Sequence, residues 1–262
     1  MKHKTEIDRK NKNTFWADAL KKEMGNVCVA FEVLGQNAKA PPGWFKASGH
    51  IVFDVKMDFT RKARWVKDGH KTPDSKTSSF VSRDSIRIAL THAALLSLPV
   101  MGADIRNAYL QAPSSEKHFI MCGPEFGIEN EGRVALIRRA LYGGKVAGRD
   151  IWHHLRDCMG HLGFVSLRAD PDVWLRLSKR SAGEEYYEYV LLYVDDVLVI
   201  SESAEKVLRN EIGQHFVLRD ESIGPPSQAV LRWEAPTSHT RQWGEGLGVW
   251  LVPVRPICCQ EC

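Results

Sequence analysis

The stretch "VLLYVDDVLVIS", residues 190–201, places two adjacent aspartates inside an apolar segment rich in β-branched residues. It predicts two strands, 187–194 and 197–201, that form an antiparallel hairpin with Asp195 and Asp196 at the turn. A tight hairpin turn usually contains Asn-Gly or Asp-Gly, because its central residues need a positive φ. This turn has no glycine, so turn geometry alone does not explain why two carboxylates stand here.

Two carboxylates in a partly buried turn repel each other, and burial raises their pKa unless a cation neutralises them. Mg²⁺ prefers carboxylate oxygens together with substrate phosphates, so the Asp195–Asp196 pair indicates a divalent metal site. For the pair alone, a surface turn with two solvated aspartates is the alternative.

A third carboxylate, Asp104, ends a predicted strand at residues 100–105. A strand-end aspartate beside the Asp195–Asp196 turn suits two metal ions roughly 3.5–4 Å apart, which assist in-line phosphoryl displacement. A helix-cap or turn-cap role is the alternative for Asp104.

The rest of the chain alternates irregularly between helical and extended patterns, with a helix at 82–98 for which Ser82 can be the N-cap. This mixture predicts an α+β fold, with helices packed on one face of a largely antiparallel sheet. The other predicted helices are 13–24, 149–162 and 203–216, and the other predicted strands are 50–59, 62–67, 117–123, 132–138 and 172–178.

Composition is that of a globular domain, with 262 residues, 44% hydrophobic and 26% charged. No apolar run approaches the about 20 residues of a membrane helix, so no membrane partner is expected. Three scattered cysteines, Cys28, Cys122 and Cys158, indicate reduced thiols in an intracellular protein.

Residues 56–76 contain seven Lys or Arg and three Asp around Trp65. This pattern suits phosphate neutralisation and base stacking, and a solvated charged strand is the alternative.

The two ends differ from the middle of the chain. The composition of residues 1–12 predicts a basic, disordered N-terminal arm. Residues 13–224 are predicted to form the folded domain. The last 38 residues, 225–262, predict an irregular tail outside the fold, because they contain five of the twelve prolines, three of the eight tryptophans and no lysine. Translation in a wrong reading frame is one hypothesis for this tail.

Several motifs resemble, in order and spacing, those of copia-type LTR-retrotransposon reverse transcriptases over residues 14–226. Tyr193-Val194-Asp195-Asp196 is the form that the polymerase motif takes in many reverse transcriptases. The other motifs are "FWADALKKEM", "FDVKMDFTRKARWVKDGH", "GADIRNAYLQAP", "ALYGGKVAGRDIW" and "GFVSLRADPDVW".

The resemblance implies a right-hand polymerase fold with fingers and palm, and RNA-directed DNA polymerase activity. It implies that Asp104, Asp195 and Asp196 are catalytic and bind Mg²⁺, with Mn²⁺ as an alternative metal. It also implies that Ile105 contributes a backbone carbonyl to the metal. The primer 3′-hydroxyl would attack the α-phosphate of a deoxynucleotide and release pyrophosphate.

Five further residues are candidate nucleotide contacts by the same resemblance. Lys62 and Arg64 are alternatives for the triphosphate clamp. Tyr109 is expected to lie under the sugar and exclude a 2′-hydroxyl, with a core aromatic as the alternative. Gly143 and Lys145 belong to a loop expected to meet template and nucleotide, and a solvated lysine is the alternative for Lys145.

Gly144 and Val146 depart from the family pattern beside this loop, which leaves a catalytically inactive, nucleic-acid-binding remnant as a second hypothesis. An unrelated α+β binding module with a structural aspartate pair is a third. The expected partners are an RNA/DNA primer–template and deoxynucleoside triphosphates. The thumb, RNase H and integrase parts of the family's polyprotein are not recognised in this chain, and a cytoplasmic virus-like particle is the expected location.

Overall fold

The computed structural model describes residues 2–69 and 79–219. Its helices are α1 (Lys2–Asn11), α2 (Phe15–Val27), α3 (Arg83–Leu95), α4 (Ala108–Gln111), α5 (Ala147–His161), α6 (Ala204–Lys206) and α7 (Gly213–His215). Its strands are β1 (Phe31–Val33), β2 (Phe45–Lys46), β3 (Gly49–Val55), β4 (Arg61–Lys67), β5 (Val100–Asp104), β6 (His118–Met121), β7 (Val134–Ile137), β8 (Val165–Ser166), β9 (Val173–Lys179), β10 (Glu185–Tyr193) and β11 (Asp196–Ile200). This mixture confirms the α+β prediction.

The largest sheet has five strands in the order β5-β11-β10-β9-β8, and every neighbouring pair is antiparallel. Tyr193 pairs with Asp196 across the β10–β11 hairpin, so Val194 and Asp195 form a two-residue loop. The predicted hairpin is therefore confirmed. Its turn lies one residue earlier than predicted, because Asp196 belongs to β11, where it pairs with Tyr193 and with Asp104.

Both faces of this sheet are covered. Val197 and Val199 of β11 pack with α5 and with the helical segment 204–215, whereas Leu198 and Ile200 pack with α3. Helices cover one face as predicted, and α3 in addition covers part of the opposite face. Burial on both faces accounts for the nearly continuous apolar run of the hairpin strands.

The last helical segment is less regular than predicted. The pattern of residues 203–216 predicts one amphipathic helix, but a π-helical stretch, Val207–Ile212, separates α6 from α7. The predicted apolar stripe is nevertheless buried throughout, because one additional residue per turn still leaves these side chains against the sheet. The stripe consists of Ala204, Val207, Leu208, Ile212 and Phe216.

Two smaller sheets form the rest of the protein. One has the order β1-β7-β6-β2, and the other is the β3–β4 hairpin. Trp65 of β4 is buried between α2 and the four-stranded sheet, in a core that includes Val27 and Ile137. The Glu23 carboxylate of α2 accepts the Trp65 backbone N–H at 2.8 Å, which joins α2 to β4.

The prediction of a disordered N-terminal arm is wrong for residues 2–11, which form α1. The buried Asp8 carboxylate of α1 accepts the backbone N–H groups of Trp16 and Ala17, each at 3.0 Å. These N–H groups open α2 and have no partner within that helix. Asp8 therefore stabilises the start of α2, a long-range contact that local composition does not reveal.

Ser82 caps α3, since its hydroxyl accepts the Ser85 N–H. Cys28, Cys122 and Cys158 are free thiols. In residues 2–69 and 79–219 no helix has the length and apolar character of a membrane span. The tail predicted at 225–262 lies outside the described residues.

A buried polar triad joins β4 to β6. Lys67 Nζ contacts the Glu116 carboxylate and lies 3.0 Å from His118 Nδ1. Burial, together with the Lys67 charge, lowers the pKa of His118, although Glu116 opposes this shift. Because the Lys67 ammonium can only donate, His118 Nδ1 is the acceptor in this contact.

This triad predicts a stability loss in mild acid. The folded-state pKa of His118 is below its unfolded value of about 6.5. The unfolded chain therefore binds more protons, and stability decreases as pH falls through that range. His118→Asn keeps an acceptor for Lys67 and removes the titration, so it should reduce the loss of unfolding free energy between pH 7 and pH 5 in urea titrations. A pH dependence equal to that of the wild type would contradict this account.

Candidate active site

The end of β5 and the β10–β11 turn meet, as the sequence predicts. Asp104 pairs directly with Asp196 across β5 and β11, so the two side chains share one face, with Cβ atoms about 4.5–5.5 Å apart. The Ile105 N–H donates to the Asp195 carbonyl oxygen at 2.7 Å. The three aspartates are therefore close together, although Asp196, rather than Asp195, is the direct cross-strand partner of Asp104.

The turn that carries the aspartates is strained. Val194, its first residue, has φ +53°, which is unfavourable for a β-branched side chain. Such a conformation costs about 1–3 kcal/mol and persists only where the surrounding structure imposes it. The paired strands and the buried flanks impose it here, which fixes the position of Asp195.

A cation of the protein lies beside Asp104. Arg219 Nε is 3.0 Å from Asp104 Oδ1, and the Arg219 N–H donates to the Asp104 carbonyl oxygen at 2.9 Å. Ile105 and Leu218 form a β-bridge, so the segment before Arg219 extends the sheet beyond β5. Because like charges on directly opposed strand residues are destabilising, Arg219 offsets the repulsion between Asp104 and Asp196.

The carboxylates fit a hard divalent cation. In the described part of the chain, no three His, Cys, Asp or Glu side chains form a ready-made metal cage. Mg²⁺ does not need one, because it usually takes one or two protein carboxylates, waters and substrate phosphates. The Arg219 contact shows that Asp104 accommodates a positive charge.

In a strand, N–H and C=O of one residue point to the same side, so the Ile105 carbonyl faces the Asp195 turn.

Two tyrosines lie beside the turn. The rings of Tyr109 and Tyr142 meet edge to face, with centroids 4.9 Å apart and planes at 64°. Burial raises the pKa of Tyr109, and the Asp195 charge adds to the increase. Burial likewise raises the pKa of Tyr142 to about 12, again with a contribution from Asp195. Tyr109 is thus half-buried near the carboxylates rather than enclosed in a remote core.

The candidate triphosphate residues Lys62 and Arg64 project from the same face of β4. Burial lowers the pKa of Lys62, and the nearby charges of Arg64, Lys56 and Arg219 lower it further. Lys62 therefore lies within electrostatic reach of Arg219, the partner of Asp104. The contact of Lys62 or Arg64 with a triphosphate stays a prediction.

The glycine loop has a structural function that the sequence did not reveal. Gly143 has φ +79°, and a Cβ there would lie 2.3 Å from the Lys67 carbonyl oxygen. The Lys67 N–H donates to the Tyr142 carbonyl oxygen at 2.8 Å. The predicted close backbone approach is therefore present, but it is made to β4. Lys145, two residues later, is half-buried, and its contact with nucleotide stays a prediction.

Two residues of this site were missed from the sequence. Tyr142 stands inside the quoted "ALYGG" motif, directly before Gly143, so its position was available as a signal. Arg219 had no such signal, because it is far from Asp104 along the chain and follows no recognisable spacing.

The chain belongs to the reverse transcriptase (RNA-dependent DNA polymerase) family, whose sequence model matches residues 43–225. The predicted resemblance to copia-type elements, and with it the α+β polymerase fold, is confirmed. We therefore call the five-stranded sheet with its helices the palm, and α2 with β1–β4, β6 and β7 the fingers.

Relatives of the chain are named retrovirus-related Pol polyproteins. The protein from transposon RE1 of Arabidopsis thaliana is 30% identical over 147 residues, which are 55% of this chain and 10% of that protein. The protein from transposon TNT 1-94 of Nicotiana tabacum is 29% identical over 194 residues, 68% of this chain and 14% of that protein. This chain thus spans about one-tenth of the length of these relatives.

Among solved structures, a foamy viral protease–reverse transcriptase in complex with double-stranded DNA is similar to this chain. The two superpose with a TM-score of 0.45 and 12% sequence identity, over 81% of this chain and 32% of that one.

The contact between Gly143 and β4 predicts a large loss of stability on substitution. Gly143→Ala combines an unfavourable φ, which costs about 1–2 kcal/mol, with a clash against the Lys67 carbonyl. Gly43→Ala is a matched control, because Gly43 also has φ +79° but an added Cβ meets nothing within 4 Å. In urea unfolding, Gly143→Ala should lose clearly more free energy than Gly43→Ala. Equal losses would mean that the loop moves away from β4 without cost.

The Arg219–Asp104 ion pair predicts competition with divalent cations. Arg219→Gln should lower the unfolding free energy of the metal-free protein by about 0.2–1 kcal/mol and should tighten Mn²⁺ binding, measured by electron paramagnetic resonance. Arg209→Gln is the matched control, since Arg209 is similarly exposed and its Nε lies 2.9 Å from Glu205. Unchanged Mn²⁺ affinity in Arg219→Gln would show that the pair does not compete with metal.

Proposed function

We propose that this chain carries the fingers and palm of an RNA-directed DNA polymerase and extends a primer 3′-hydroxyl with deoxynucleoside triphosphates. The observation that carries the proposal is the pairing of Asp104 with Asp196 beside Asp195. Three carboxylates brought together at one strand end and one strained turn lower the stability of the fold. Nucleotidyl transfer is a reaction that uses such carboxylates to hold metal ions.

Asp104, Asp195 and Asp196, with the backbone carbonyl of Ile105, would hold Mg²⁺ or Mn²⁺. When bound, such ions supply positive charge to the reacting phosphate and lower the pKa of an attacking hydroxyl. The protein's own contribution is to hold Asp104 and Asp196 on one face of the sheet through the β5–β11 register, with Asp195 fixed next to them by the Val194 turn.

The nucleotide would lie between fingers and palm. Lys62 and Arg64 would neutralise the triphosphate, since both project from β4 and Lys62 is close enough to Arg219 to respond to its charge. Tyr109 would lie under the sugar, and Gly143 and Lys145 would line the template side. Half-burial of Tyr109 near the charge of Asp195 supports this assignment.

The partners follow from the reaction and the relatives. We propose an RNA/DNA primer–template as the macromolecular partner, and a larger polyprotein as the context that provides thumb, RNase H and integrase. Within this chain we place the polymerase domain at residues 13–224 and the additional tail at 225–262. A cytoplasmic virus-like particle is the proposed location.

A catalytically inactive remnant that at most binds nucleic acid is the second candidate. One observation favours it: Gly144 and Val146 depart from the family pattern beside Lys145. The third hypothesis, an unrelated binding module, is excluded by membership of the reverse transcriptase family.

Primer extension distinguishes the first two candidates. Asp195→Asn removes one carboxylate charge at the turn with little change in volume, so it should reduce extension on an RNA template in Mg²⁺ by at least about 10²-fold, in line with the loss of a group that stabilises developing charge. Asp84→Asn, an exposed aspartate of α3, is the control and should extend like the wild type. Wild-type signal no higher than that of Asp195→Asn would identify the remnant.

A further inference from the structure

Tyr109 receives little positional restraint from its own helix. α4 has only four residues, Ala108–Gln111, and follows Asn107, which has φ +49°. A single turn of helix does not fix a long aromatic side chain, so the position of the Tyr109 ring depends on what packs against it. Tyr109 packs against the palm core on one side, and Tyr142 of the fingers contacts it edge to face.

Tyr142, by contrast, is firmly held. Its carbonyl oxygen accepts the Lys67 N–H at 2.8 Å, and Gly143 after it packs against the Lys67 carbonyl. Leu141 before it is buried in the fingers core with Trp65. Lys67 is itself fixed by Glu116 and His118. The Tyr142 backbone is therefore held by β4 and by the fingers core.

We propose that Tyr142 is a positioning residue that holds Tyr109 in place, and that it thereby sets the preference of the site for deoxynucleotides over ribonucleotides. This inference rests on the proposed function. A ring excludes a 2′-hydroxyl only if it cannot move aside, and displacements of about 1 Å are enough to change how a site treats its substrate. Tyr142 supplies the resistance to such a displacement, and Tyr109 makes the contact.

The geometry also explains why the pair lies where it does. The charge of Asp195 acts on both rings, and the charge of Arg64 acts on Tyr142. The pair thus has a palm carboxylate and a fingers cation within electrostatic reach, and we expect the sugar of a nucleotide beside it. A substitution at Tyr142 should consequently change sugar selection without removing any group that contacts phosphate.

The test measures single-nucleotide extension with a deoxynucleotide and the corresponding ribonucleotide, as the ratio of their kcat/KM values. Tyr142→Leu should lower this ratio about three- to tenfold, equivalent to about 0.7–1.4 kcal/mol. Tyr142→Phe keeps the ring and should stay within about twofold of the wild type. Tyr189→Leu is the matched control, because Tyr189 makes a similar edge-to-face contact with His92, at 5.2 Å, within the α3 cluster.

A double-mutant cycle shows whether Tyr142 acts through Tyr109. Tyr109→Ala alone should lower the ratio at least as much as Tyr142→Leu, and the double variant should lower it no further. Additive effects would overturn the proposal, and so would an unchanged ratio in Tyr142→Leu. An equal loss in Tyr142→Phe would also overturn it, because the hydroxyl and not the ring would then be responsible.

Failure of the proposed function would be seen separately, as wild-type extension no higher than that of Asp195→Asn. In that case, equilibrium binding of the same two nucleotides to the complex with a dideoxy-terminated primer replaces kcat/KM. Weaker preference for the deoxynucleotide in Tyr142→Leu than in the wild type supports the proposal. The proposal is overturned if Tyr142→Leu and the wild type prefer the deoxynucleotide equally, or if the wild type shows no preference.

Discussion

The structure depends on one unfavourable contact, the pairing of Asp104 with Asp196 on adjacent antiparallel strands. Two like charges in this position repel each other, and the neighbouring Asp195 adds a third. The arrangement persists because the register of β11 is set elsewhere. Val197 and Val199 are buried on one face and Leu198 and Ile200 on the other, so a shift by one residue would exchange the two apolar sets and disturb both cores. The apolar residues thus impose the position of the carboxylates, and the strain at Val194 is a consequence of the same constraint.

The sequence was sufficient to predict an element where its local residue pattern agrees with its burial in the structure. The hairpin and the end of β5 were predictable, because apolar runs flank Asp195 and Asp196 on both sides. The turn was missed by one residue, since the pairing of Asp196 with Asp104 leaves no local signal. The helical nature of α1 was not, since it depends on Asp8 reaching the start of α2 across eight residues. The π-helical stretch Val207–Ile212 was not predictable either, because over a single turn the spacings of Val207, Leu208 and Ile212 fit both helix types. Arg219 was missed because long-range ion pairs leave no periodic signal.

The strand β4 links the fingers to the site in two ways. Its partly exposed face presents Lys62 and Arg64, while its inward face places Trp65 in the core and Lys67 in the triad with Glu116 and His118. The backbone at its end contacts the loop of Tyr142 and Gly143. The two candidate cations and the backbone contact that holds the Tyr142–Gly143 loop therefore come from the same seven-residue strand. Alternation of side chains along a strand makes this possible, because one element can serve the core and the site at once.

The Arg219–Asp104 contact is too weak to decide between an enzyme and a remnant. The Arg219 side chain is 39% exposed, and ion pairs with an exposed partner contribute about 0–1 kcal/mol, because water screens them. Arg219 therefore fits a charge that offsets the repulsion between the aspartates, and does not argue against the proposed activity. A remnant would have to be explained by the nucleotide side of the site, where Gly144 and Val146 depart from the family pattern beside Lys145.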